Sequence, residues 1–117
     1  MDFHQTLEDT IERFPEIRGI IFVDPDGESI IHYHPGMSEF EVRLTGAKIA
    51  VLVKSLLKDL ISEHLEAIET ETKSHYFFFL PLKMDYSLMV VCKRSMMNHR
   101  LRDHIIGLSN AFNDEIL

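Results

Sequence analysis

The chain has 117 residues, 45% of them hydrophobic and 26% charged, which is the balance of one soluble globular domain rather than a disordered or fibrous chain. Its formal net charge of -7, with no basic stripe, argues against a nucleic-acid partner, whose phosphates would be repelled. A lone Cys92 cannot make an internal disulfide. The start lacks the basic and apolar segments of a secretory leader, and the most apolar run, residues 76–82, is too short to span a bilayer. A cytoplasmic protein without membrane insertion is expected.

Taken in order, Phe3, Leu7, Ile11 and Phe14 recur at three- and four-residue intervals, with Asp2, Gln5, Glu8, Asp9 and Glu12 on the other side. The spacing predicts a short amphipathic helix ending at Pro15, its early acids suiting the helix dipole. Residues 17–23 and 28–34 read as strands on either side of Asp24-Pro25-Asp26-Gly27. Proline second and glycine fourth is type I turn chemistry, with Asp24 able to bond back to the turn amides, so an antiparallel hairpin is expected. Pro35-Gly36 closes it, and Ser38 or Glu39 leads onward.

Residues 41–62 form the longest periodic stretch. Wound at roughly 100° per residue, they gather Val42, Ile49, Leu52, Val53, Leu56, Leu57 and Leu60 on one broad face. Gly46 and Ala50 lie within that face, where a sheet can come close. Such a helix would be about 33 Å long. Its opposite side is less usual, because Lys48, Ser55 and Lys58 share it with Leu44, Ala47 and Val51. That thin apolar streak predicts a helix facing its own sheet on one side and another chain on the other.

Residues 65–72 then read as a strand with acids scattered through it. Residues 75–82 and 87–93 read as two more, turned at Met84-Asp85, and residues 96–116 return to helical spacing. Met97, Leu101, Ile105, Leu108, Phe112 and Ile116 make the buried stripe of this last helix.

The first strand is apolar in both alternating sets, Ile17/Ile21/Val23 and Ile20/Phe22. So are Phe77/Phe79 against Tyr76/Phe78/Leu80, and Leu88/Val90/Cys92 against Met89/Val91. Strands apolar on both faces must be covered on both, which puts these three in the middle of a sheet. The second strand, with Glu28, Ser29, His32 and His34, and the third, with Glu66, Glu69 and Glu71, are polar enough to be edges. The expectation is an α+β fold, an α/β/α sandwich on a five-stranded antiparallel sheet of order 2-1-5-4-3. The long helix covers one face and the two terminal helices the other, in a single domain over residues 1–117.

Chemistry is sparse. His32 and His34 share a strand face, but two imidazoles are too few ligands for a metal site. Cys92 falls mid-strand and reads as a small apolar filler, and His104 as a half-buried packing residue. The run Tyr76-Phe77-Phe78-Phe79 has no interleaved cations and reads as core rather than a stacking platform. Neither GxxxxGK[ST] nor GxGxxG occurs, and no acid–base or nucleophile set can be assembled. A non-enzyme without cofactor or metal is expected.

The helix, the strand pair GIIFVDPDGESII, the long central helix and the three-strand meander before a final helix resemble the roadblock/LC7 domain. In particular, IRGIIFVDPDGESIIHY is similar to that family's first hairpin, a hydrophobic strand ending in an Asp-x-x-Gly turn. The resemblance covers essentially the whole chain. It implies a non-enzymatic homodimer or heterodimer that acts with a small Ras-like GTPase, as regulator or scaffold, or as a dynein light chain. It also implies that central helix and third strand pair with their copies around a two-fold axis, giving one continuous sheet.

On that reading the interface takes Leu44, Ala47, Lys48, Val51, Ser55 and Lys58 from the helix and Ala67, Ile68 and Glu69 from the strand. A two-fold centred near Ile68 would set Glu69 opposite Ala67, Glu71 opposite Leu65 and Glu66 opposite Thr70, keeping the acids apart. Arg43, Lys48, Lys54 and Lys58, with the acids of the first helix, are candidate GTPase contacts. The chain need not supply a catalytic arginine if it holds the partner's own loops in place. The alternative is a PAS-like sensor of a small ligand, although such domains break the mid-chain into short helices and residues 41–62 read as one.

Overall fold

A computed structural model describes residues 2–26, 28–33, 35, 38–41, 43–44, 47–48, 51, 55, 67–94 and 99–116, with backbone only for 29–33. The elements are α1 (Phe3–Arg13), β1 (Ile17–Val23), β2 (Ser29–Tyr33), β3 (Ile68–Glu71), β4 (His75–Pro81), β5 (Ser87–Lys93) and α3 (His99–Glu115). Between β2 and β3, every described residue from 39 to 55 is helical; this is α2. The sheet is five-stranded and antiparallel in the order β2-β1-β5-β4-β3. That is the order drawn from the two-sided apolar strands.

Local chemistry sets the boundaries. Asp2 is the N-cap of α1, its Oδ1 accepting the Gln5 amide at 3.1 Å, so this acid sits before the first turn rather than on a helix face. At the other end the Phe14 amide donates to the Thr10 carbonyl, and Pro15 follows. In the first hairpin the Asp24 carboxylate accepts the Asp26 and Glu28 amides, each at 2.9 Å, as its place before Pro25 foretold. At the second turn the Tyr86 amide reaches the Lys83 carbonyl at 3.2 Å across Met84 and Asp85. Both central residues have positive φ, 58° and 63°, the left-handed pair that a tight two-residue hairpin turn requires.

Among the described residues, most of the core lies on one face of the sheet. Leu7 and Ile11 of α1 and Leu101, Ile105, Leu108 and Phe112 of α3 pack against Ile20, Phe22, Phe78, Leu80, Leu88, Val90 and Cys92. Each such fully buried side chain contributes about 1.5–3 kcal/mol by leaving water. Phe3, Phe22 and Phe112 form an aromatic knot, with centroids 4.7 to 5.6 Å apart, that ties α1 to β1 and α3. On the other face Ile21, Val23 and Met89 form a second buried group, with Phe79 and Val91 also buried. The predicted inner face of the long helix (Val42, Gly46, Ile49, Ala50, Leu52, Val53, Leu56, Leu57 and Leu60) lies outside the described residues. So do Met97, Leu65 and Glu66.

Two expectations are corrected. Ile17 does not share a face with Ile21 and Val23; it belongs to the main core with Ile20 and Phe22. A bulge between Ile17 and Gly19 sets two residues of β1 against one step of β5, from Cys92 to Val91, and reverses the alternation. The third strand is also shorter than residues 65–72, because pairing with β4 runs only from Ile68 to Glu71 and Ala67 and Thr72 fall outside it. A brief, charged outer strand is how sheets commonly limit an open edge.

Candidate interaction surface

The outward face of α2 starts from its cap. Ser38 Oγ accepts the Glu41 amide at 3.1 Å, which begins the helix at Glu39. Phe40 therefore belongs to the helix. It heads an apolar row that continues through Leu44, Ala47 and Val51. In the single chain Phe40 is 73% exposed, Leu44 42% and Val51 71%. Ala47, Lys48 and Ser55 are exposed beside them. Lys58 and Lys54 lie outside the described residues. Arg43 pairs with Glu39 at 3.2 Å one turn away, both well exposed, a contact of little energetic weight.

Phe40 falls outside the predicted stretch, which starts at Glu41, two residues after the helix begins. The signal was present: Ser38 followed three residues later by Glu41 has the spacing of a capping box, which marks a helix start.

The second part of the surface is the sheet edge. β3 is outermost and hydrogen-bonds to β4 on one side. Ala67 and Ile68 are half-buried, Ala67 packing against the main core, while Glu69 is more open. The predicted interface residues thus fall into two sets, one along α2 and one at the start of β3.

Glu69 does more than line an edge. Its Oε1 accepts from the Tyr76 hydroxyl on β4 and stands 2.6 Å from Arg102 Nη2 on α3. The same guanidinium nitrogen donates to the Tyr76 hydroxyl at 3.3 Å. Burial, then the hydrogen bond to Glu69, push the Tyr76 phenol up to about 12, so it stays protonated and donates. This triad ties edge strand, neighbouring strand and last helix together.

Other flagged residues lie where packing dictates. Cys92 is fully buried, and burial with the nearby Glu16 charge raises its thiol to about 12, which makes it inert. His104 is half-buried, 4.8 Å from the Phe14 ring; burial first, and Arg13 second, lower its pKa. The side chains of His32 and His34 lie outside the described residues. Among the described residues no three His, Cys, Asp or Glu side chains gather as a metal would need, and no helix is long and apolar enough to cross a membrane.

β3 is one of the two edges of the antiparallel sheet, and Phe40, Leu44 and Val51 are exposed on α2. Comparison with family models and with curated proteins gives no match. Solved structures do match. The Roadblock/LC7 domain from Streptomyces avermitilis superposes with a TM-score of 0.81 at 14% identity, over 98% of each chain. Myxococcus xanthus MglB gives 0.82 at 12% identity, over 97% of this chain and 94% of its own. MglB with a tetrameric arrangement gives 0.75 at 11% identity, over 97% and 90%. The chain has the roadblock/LC7 fold.

Proposed function

We propose that this protein is a non-enzymatic, dimeric interaction module of the cytoplasm that binds a small Ras-like GTPase and regulates or scaffolds it. The observation that carries the dimer is the row Phe40, Leu44 and Val51, exposed at 73%, 42% and 71% on one helix face. Side chains of that size set in a row call for a cover. The open edge of β3 is the second call, since a short strand can pair with its own copy about a two-fold near Ile68. The GTPase rests on the resemblance to the roadblock/LC7 family, and the tetrameric arrangement of the structural neighbour MglB supports self-association. The regulatory role follows the same analogy.

The test is solution mass followed by partner capture. The wild type is expected at twice the 13.6 kDa chain mass, and Val51→Glu at the single-chain mass with an unchanged circular dichroism spectrum. A small Ras-like GTPase loaded with a GTP analogue should then be retained more strongly than its GDP form, or the reverse. A wild type that stays monomeric at every concentration removes the dimer, and equal failure of both nucleotide forms to bind removes the GTPase.

A further inference from the structure

β3 carries two acids, Glu69 and Glu71, and each is paired with an arginine of its own chain. Arg102 Nη2 stands 2.6 Å from Glu69 Oε1, and Arg94 Nε 3.4 Å from Glu71 Oε2. Both acids lie on one face of the sheet. Glu69 stands across from Phe78 and Glu71 from Tyr76, two residues of the core under α1 and α3. Ile68 and Thr70 alternate to the other face.

Pairing of β3 with a second copy about Ile68 would treat the two acids differently. Glu69 would face the copy's Ala67, and the copy's Glu69 would be its diagonal neighbour on the same face, about 7–8 Å away. Glu71 would lie about 20 Å along the ladder from its counterpart, at about 3.4 Å per residue. Of these acids, only the two Glu69 carboxylates come close, and bare like charges across a sheet destabilise it. Arg102 sets a cation on each of them, and the Tyr76 hydroxyl donates to the same oxygen. The edge is therefore neutralised at this point before any partner arrives. A basic strand would find Glu69 already taken, whereas a second β3 would find no bare charge there to repel it.

We propose that Arg102 is what lets this edge accept its own copy, by neutralising Glu69 where two such carboxylates meet across the two-fold. Arg102 acts through Glu69 and is a positioning residue of the interface. The inference rests on the dimer proposed above. Its test is the dimer dissociation constant, measured by sedimentation equilibrium on the full chain at about 50 mM salt. Arg102→Gln should raise that constant about tenfold over the wild type. At about 1 M salt, where charges are felt over only about 3 Å, the difference should shrink to within about twofold.

Arg102→Lys keeps the charge and should stay near the wild type. Glu69→Gln combined with Arg102→Gln should recover most of the loss, because two amides have no charge to repel. Arg94→Gln bares Glu71 far from the two-fold and should change the constant by less than about twofold. An Arg102→Gln dimer as tight as the wild type overturns the inference and leaves the dimer standing. So does a double variant as weak as Arg102→Gln alone, since Arg102 would then only anchor β3 to α3. Equal weakening by Arg94→Gln overturns it too. A wild type that stays monomeric at every concentration removes the dimer itself, and the inference with it.

Discussion

Glu69 and Arg102 stand 2.6 Å apart, one on the outermost strand and the other on the last helix. Neither is deeply buried, at 32% and 39% side-chain exposure, so water weakens the pair. Its effect is local: it holds β3 against α3 and leaves the strand's outer edge presented. Arg102→Met is expected to cost about 1 kcal/mol, or about 4 °C in Tm. Amide exchange should accelerate at Ile68–Glu71 more than in β1 or β5. A uniform change across the sheet would show that the pair has no special hold on the edge.

Alkaline pH tests the buried phenol and thiol. Tyr76 ionises near 12 in the fold against 10.0 ordinarily, and Cys92 near 12 against 9.0. Both raised values mean that the folded chain keeps protons the unfolded chain has lost. Their contribution is complete below pH 9.0 and fades as pH climbs through about 12. The urea midpoint should hold to pH 9.0 and fall above it, and Tyr76→Phe should flatten part of the fall above pH 10.0. Iodoacetamide should label Cys92 only as fast as the chain opens.

His104 gives the opposite sign. Its pKa is lowered from 6.5 by burial against Phe14 and by Arg13, so the unfolded chain takes up a proton first as acid is added. The stability tied to a neutral His104 is present above pH 6.5 and is lost as pH falls toward the lowered value. Between about pH 7.5 and 5.5, where an ordinary imidazole titrates, the wild type should lose more stability than His104→Gln. Parallel urea-midpoint curves for the two proteins would contradict this.

The β4–β5 turn carries two left-handed residues, Met84 and Asp85, neither of them glycine. A side chain in that region costs roughly 1 kcal/mol. Asp85→Gly should therefore stabilise by about 0.5–1 kcal/mol, and pairing it with Met84→Asn should add to this, since Asn-Gly is the favoured pair for such turns. A fall in Tm would mean that the Asp85 side chain holds something in place.

The sheet order was legible because three strands are apolar in both alternating sets and two are not, a pattern that ranks strands from centre to edge. The first turn was legible because an Asp placed before Pro25 is suited to accept the turn amides, as Asp24 does. What escaped was non-local or parity-dependent. No short-range pattern links Glu69, Tyr76 and Arg102, which meet only after β3, β4 and α3 have packed. Residues 65–72 looked like one strand because composition does not show where pairing stops. Of the predicted interface, five helix positions are seen on the exposed side of α2, as their spacing implied.

The bulge at Ile17 and Gly19 acts as a pivot for everything that precedes it. Were β1 to pair regularly at its present length, Ile17 would pass Cys92 and turn to the far side of the sheet, taking the approach of the amino-terminal helix with it. The bulge thereby sets the side on which the first helix docks. Deleting Arg18 should close the bulge and leave Ile17 opposite Cys92 on the core face.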